Sequence, residues 1–382
     1  MANINLTNAK RTKNDEFYTQ YADIQKEIAA YLEFDPNVFC GKVVYCNCDD
    51  PFESNFFRYF VLNFSKLGLK QLITTSYKPS PIANTQLTLF GYDKTLPKLK
   101  GRPKINANRF IINDVHDIDG DGEFNLKDVA LQLKENKHNE WTPLEGDGDF
   151  RSDECIDLLK QSDIVITNPP FSLFREYVKQ LFDYNKKFVI IGSMSAITYK
   201  EIFPLIKNNK LWLGNGFHAG NAYFFTPNTR DFASGVYDAK TGLVKFRNVC
   251  WFTNLEHGRR HQQLPLMTMK DNLKYSKHKE IKGKKKYYKY DNYDAIEVPF
   301  TDAIPNDYDG VMAVPISFLD KYNPDQFEIL GVTQRNDDPY KIKKYTTADY
   351  PNANDLNARG VIMVNGSPKA MYARILIKHK RK

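Results

Sequence analysis

A chain of 382 residues with 42% apolar content can bury cores for two or three domains. No apolar run approaches the ~18 residues of a membrane span, and the N-terminus, Met-Ala-Asn-Ile-Asn-Leu-Thr-Asn-Ala-Lys, lacks an apolar signal-peptide core, so the expectation is a cytoplasmic protein with no membrane partner. The net charge of +8 is uneven: residues 1–200 carry 25 Lys/Arg against 27 Asp/Glu, whereas residues 201–382 carry 29 against 19, the asymmetry expected when one half grips a polyanion. Five cysteines (40, 46, 48, 155, 250) without paired CxxC spacing read as reduced thiols, not a zinc site.

In chain order, residues 1–14 read as a polar, flexible N-terminus. Phe17-Tyr18-Thr19-Gln20 follows, then a helical pattern through Ile24, Ile28, Tyr31 and Leu32. Residues 42–47 form the first buried strand, and the next segment (Asp49, Asp50, Pro51) leads into an aromatic helix over 56–60. Strand, loop, helix is the layout of a nucleotide-type cofactor site, with the ligand at the strand end and helix start. No glycine-rich loop lies between Gly41 and Gly68. Residues 71–76 are a second strand, and 77–145 read as an insertion with strands at 87–90 and 109–112.

Within that insertion, Asp117, Asp119, Asp121 and Asp128 stand at positions 1, 3, 5 and 12 of a segment with glycine at position 6, the spacing of a calcium loop. A strand precedes it where a calcium loop has a helix, and it stands alone, so the reading set against it is an acidic surface turn with no metal. Gly146-Asp147-Gly148-Asp149-Phe150 gives a turn, and a helix over 154–159 leads to Asp-Ile-Val-Ile-Thr-Asn-Pro-Pro-Phe (163–171). Ile164, Val165 and Ile166 read as a buried strand ended by two prolines that cannot continue a ladder. Asn168, before a proline, is held extended at the strand's carboxyl end. The Asn168 side-chain oxygen and the Pro169 carbonyl are two acceptors suited to both hydrogens of an exocyclic amine. Phe171 offers a face on which a base can stack.

Asn168-Pro169-Pro170-Phe171 resembles the catalytic motif of amino-methyltransferases acting on adenine N6 in DNA. Together with 146–152 and 314–331, it resembles the EcoRI-type adenine-specific modification methylases from about residue 14 onward. The resemblance implies an S-adenosylmethionine-dependent DNA (adenine-N6) methyltransferase that flips its target base, the modification partner of a restriction system. Phe17, Tyr18 and Thr19 would then line the cofactor pocket beside the Asn47, Asp49, Asp50, Pro51 loop, with Asp49 or Asp50 on the cofactor's amino group. Asp149 would accept from the cofactor's adenine amine, with Phe150 beside the ring. The expected fold class is α/β: a doubly wound, mostly parallel Rossmann-like methyltransferase sheet over 15–210, and a smaller α+β, basic DNA target-recognition region over 211–382.

In that second region, residues 270–289 hold nine lysines interleaved with Tyr275, Tyr287 and Tyr288, a pattern for phosphate contact and stacking or for a solvated loop. Lys284, Lys285 and Lys286 are candidate DNA contacts, and Arg259 and Arg260 candidate base readers. Double-stranded DNA is the expected partner, with a cognate restriction endonuclease as functional partner; one chain carries both parts, so a monomer suffices. The motif alone leaves open cytosine N4, RNA or a protein amide as acceptor, and a non-catalytic DNA-binding module with a decayed cofactor site.

Overall fold

The computed structural model describes residues 18–48, 54–77, 107–135, 138–217, 221–225, 235–334 and 338–380. Two compact units emerge: Met1–Met194 with Leu213–His257, and Ser195–Trp212 with Gly258–Lys382. Residues 213–257 therefore group with the first unit, on the other side of the boundary expected at 210.

The first unit is built on an eight-stranded mixed sheet. From edge to edge its strands are Glu140–Pro143, Asn108–Ile112, Gln71–Thr75, Val43–Cys46, Ile164–Thr167, Lys187–Ser193, Val249–Thr253 and Trp212–Leu213. The four central strands, Gln71–Thr75 to Lys187–Ser193, run parallel. Antiparallel neighbours flank them on both sides. The expectation of a mostly parallel sheet thus holds only for the centre. Strands Asn108–Ile112 and Glu140–Pro143 extend this sheet, so the end of the supposed insertion is part of the frame; the expected strand at 87–90 lies outside the described residues. Central burial explains the continuous apolar runs: Val43–Cys46 and Ile164–Thr167 are buried at every position.

The helices follow the expected periodicity. Tyr21–Phe34 buries Ile24, Glu27, Ile28 and Tyr31, and Phe174–Asp183 buries Phe174, Tyr177, Val178 and Leu181, both spaced one turn apart. Ser54 caps Asn55–Leu62 and Ser152 caps Asp153–Gln161 through side-chain oxygens that accept backbone N–H groups. A second, antiparallel sheet of this unit orders Tyr18–Thr19, Asn221–Phe225, Leu243–Arg247 and Tyr237–Asp238. In the other unit, Ala295–Glu297, Val311–Pro315, Arg374–His379 and Phe327–Val332 form a four-stranded mixed sheet. Arg374 pairs there with the buried Glu297 at 2.7 Å. Among the described residues, no helix is long and apolar enough to cross a membrane.

Glu27 holds one turn of the first unit in place. It is buried and accepts hydrogen bonds from the Tyr31 hydroxyl (2.8 Å) and from the Asn215 and Gly216 N–H groups (2.9 and 3.0 Å). A Cβ on Gly214 would stand 2.0 Å from its Oε1, so only glycine permits that approach. Glu27→Ala strands the buried Tyr31 hydroxyl and two part-buried N–H donors and should cost about 3 kcal/mol in urea unfolding. A loss under ~1 kcal/mol would mean that water replaces the carboxylate.

Candidate active site

The first strand, Val43–Cys46, has Gln71–Thr75 on one side and Ile164–Thr167 on the other. The chain therefore reverses its direction of travel across the sheet between Val43–Cys46 and Ile164–Thr167, and open α/β sheets bind ligands at the carboxyl ends of strands flanking such a point. Asn47 and Asn168 are the residues that leave those two ends. They are tied together: Thr167 Oγ1 donates to the Asn47 carbonyl, and the Tyr177 hydroxyl donates to Asn47 Oδ1. Asn168 is half-buried and Pro169 buried. Pro170 (φ −56°, ψ 121°) leads into a short 3-10 turn that starts at Phe171, closed by the Leu173 N–H on the Pro170 carbonyl at 3.0 Å. Phe171 is half-buried against the main core.

At the end of the first strand, Asn47 is buried and Cys48 turns the chain with a positive φ of 63°. A left-handed non-glycine residue costs about 1–2 kcal/mol, so the turn that a glycine loop would make is made here by a strained cysteine. Phe17, Asp49, Asp50 and Pro51 lie outside the described residues. Tyr18 and Thr19 are both buried, and the Thr19 carbonyl accepts from Asn55 Nδ2 at 2.8 Å. That bond sets the Tyr-Thr element against the start of the helix after the first strand.

The Gly-Asp-Gly-Asp turn sits at the end of the neighbouring strand. Gly148 (φ +78°) packs so closely that a Cβ would lie 2.0 Å from the Ser76 carbonyl oxygen. Asp149 follows, its carboxylate gripped by Arg151 Nε and a terminal guanidinium nitrogen at 2.9 and 2.7 Å. The other guanidinium nitrogen reaches Glu176 at 3.1 Å, on the helix that follows the Asn-Pro-Pro-Phe turn. Arg151 holds the Asp149 carboxyl below the usual carboxylate range. Phe150 is buried edge-on to Tyr177, ring centroids 4.9 Å apart, and its carbonyl accepts from Gln180 Nε2 at 3.1 Å.

The family described as adenine-specific methyltransferase EcoRI matches residues 5–380. Type II methyltransferase M.EcoRI of Escherichia coli is 40% identical, over 98% of this chain and 96% of the relative. This chain belongs to the EcoRI adenine-specific methyltransferase family. M.MpnI of Mycoplasma pneumoniae is 33% identical over 98% of this chain and 97% of its own, and M.MgeORF184P of Mycoplasma genitalium 34% over 98% of each; both are named type II methyltransferases. No solved structure matches the chain.

For this EcoRI-family chain, the fold gathers Asn47, Asp149, Phe150 and Asn168 around residues that the sequence reading passed over: Tyr177, Arg151 and Cys48. Tyr177 had a signal, because a tyrosine among the buried Phe174, Val178 and Leu181 needs a partner for its hydroxyl. The arginine doublet splits. Arg260 is buried, its guanidinium 3.8 Å from the Trp212 ring centre and bonded to Asn209, a packing role that keeps it from a base edge. Arg259 is half-exposed. Lys284, Lys285 and Lys286 are exposed, whereas Tyr287 is buried with its hydroxyl on the Ala303 carbonyl, which removes it as a stacking platform.

In the acidic loop, oxygens of Asp117, Asp119 and Asp128 lie within 4.8 Å of one another. The loop's own N–H groups occupy them: Gly120 and Gly122 bond Asp117 at 2.7 Å each, and Asn125 bonds the buried Asp128 at 2.8 Å. Lys127 Nζ reaches Asp119 at 2.6 Å. That is the geometry of a self-capped turn into the helix Leu126–Glu135.

Because the Asp149 carboxyl is depressed, its pairing stabilises the fold at neutral pH and is lost as pH falls through the depressed value. Carboxyl-detected NMR should place the Asp149 titration below the ~3.9 of a free aspartate, and in Arg151→Met at or above it. Equal values in the two proteins would deny Arg151 this role.

Proposed function

We propose that this chain is a site-specific DNA adenine N6-methyltransferase that uses S-adenosylmethionine and serves as the modification enzyme of a restriction system, in the cytoplasm and as a monomer. The observation that carries the reading is Asn168-Pro169-Pro170-Phe171 at the end of a buried parallel strand, beside Asn47 at the point where the chain reverses across the sheet. Family membership supports adenine as the acceptor.

The residues present fit the cofactor. Asp149 retains acceptor capacity beyond its three Arg151 bonds and suits an amine. The Asn47–Cys48 turn precedes a serine-capped helix in the chain. When bound, S-adenosylmethionine supplies an electrophilic methyl group on a sulfonium. The chain's own part is positional: the Asn168 side-chain oxygen and the Pro169 carbonyl hold both hydrogens of a flipped adenine's N6 amine and favour the nitrogen as it gains positive character. Phe171 stacks on the base. Tyr177 keeps Asn47 and Phe150 in register with the strand end. The basic region over 211–382 holds the duplex, so binding weakens steeply with salt.

The direct test incubates the protein with tritiated S-adenosylmethionine and unmethylated genomic DNA and identifies the labelled nucleoside. Label in N6-methyladenine is expected; label in cytosine, or in RNA or protein only, would overturn the reading. Asn168→Ala should keep duplex affinity and lose roughly 100-fold or more in methyl transfer. Tyr177→Phe, which removes one hydroxyl, keeps the ring and takes a donor from the buried Asn47 Oδ1, should lower kcat about tenfold and cost about 1–3 kcal/mol in urea unfolding.

A further inference from the structure

The helix Met269–Tyr275 and the turn at 281–284 enclose a solvent-open cleft of about 700 Å³ in the Ser195–Trp212/Gly258–Lys382 unit. Lys270, Lys274, Lys282 and Lys284 line it, with Met269 and Leu273 half-buried between them. The two sides are fixed to each other: the Gly283 N–H donates to the Leu273 carbonyl at 2.8 Å. Asp307, the acid in this lining, accepts the Met269 N–H at 2.7 Å and so anchors the helix start.

The nine lysines of 270–289 fall into different settings. Lys277 pairs with Asp302 at 2.8 Å and Lys289 with Asp294 at 2.9 Å, both outside the cleft. Among the described residues, no carboxylate stands within ion-pair distance of the four cleft lysines. Lys270 and Lys274 are four apart on one helix, where like charges repel and destabilise. Four lysines against the single carboxylate of Asp307 leave this lining with a surplus of positive charge, which matches an extended anion held at several points. Its volume is far larger than one phosphate group needs, and its mostly apolar floor suits a sugar edge between phosphates.

We propose that this cleft clamps the phosphodiester backbone of duplex DNA, with Lys270, Lys274, Lys282 and Lys284 as its phosphate contacts. The inference rests on the reading of the chain as a DNA methyltransferase and adds where the duplex is held. Lysine serves here as a mobile point charge, so the clamp contributes affinity and not sequence choice.

The test follows duplex binding by fluorescence anisotropy over a salt series, using the full chain. Each phosphate contact contributes about 0.9 to the slope of log K against log salt. Lys270→Gln/Lys274→Gln and Lys282→Gln/Lys284→Gln should each flatten that slope by about two. Lys277→Gln/Lys289→Gln, which removes the acid-paired lysines, should leave it unchanged, and replacing all four cleft lysines by arginine should preserve it. Wild-type slopes in both cleft variants would overturn the clamp while leaving the wider reading intact. Competition by pyrophosphate beyond its ionic-strength effect would overturn it in favour of a small-anion pocket. Absence of duplex binding by the wild-type protein, with S-adenosylmethionine binding intact by calorimetry, would instead overturn the DNA reading itself.

Discussion

The site depends on the parallel pairing of Ile164–Thr167 between Val43–Cys46 and Lys187–Ser193. A strand buried at every position can be built only from residues that tolerate crowding on both faces, and its backbone must be satisfied by its neighbours. Two consecutive prolines then end the ladder, since neither has an N–H to offer. The break is productive because it falls where the sheet's connectivity reverses. Thr167 and Tyr177 spend their hydroxyls on Asn47, so the two strand ends are one hydrogen-bonded assembly and the half-buried Asn168 rides on it.

Charge is handled differently in the two units. Around the site, the Asp149–Arg151–Glu176 chain is partly exposed and connects a turn at one strand end to the helix that leaves another. Such exposed pairs contribute little stability, and this one's value lies in fixing the direction in which a carboxylate points. In the other unit, Glu297 meets Arg374 and the Tyr290 hydroxyl away from water, where losing either partner would leave a charge uncompensated.

Strong local patterns made much of this legible in advance. The apolar runs at 43–46 and 164–167, the helical spacing of Ile24, Ile28 and Tyr31 and the Asn-Pro-Pro-Phe stop each carry their physics in adjacent residues. Long-range pairing was less visible. That Val249–Thr253 joins the central sheet antiparallel to Lys187–Ser193 follows from tertiary contact, not from any local motif. Arg260 looked like a base reader because a sequence displays charge but not the indole beneath it. Nothing adjacent to Cys48 revealed that a cysteine would adopt the backbone region usually left to glycine. Asp49 and Asp50 remain expectations drawn from the strand–loop–helix layout.

The division of the chain bears on its synthesis. The polypeptide passes from one unit to the other after residues 194, 212 and 257, so the second unit is assembled from two separated stretches. Helix Phe203–Lys207 shares a groove with strand Phe327–Val332, whose residues leave the ribosome more than a hundred positions later. At ~5–20 residues per second, Phe203 and Ile206, buried in the finished protein, wait many seconds for their packing partners. During that interval they are natural ground for a chaperone, and a break in the chain near residue 257 would leave the N-terminal piece carrying part of the second unit's interior.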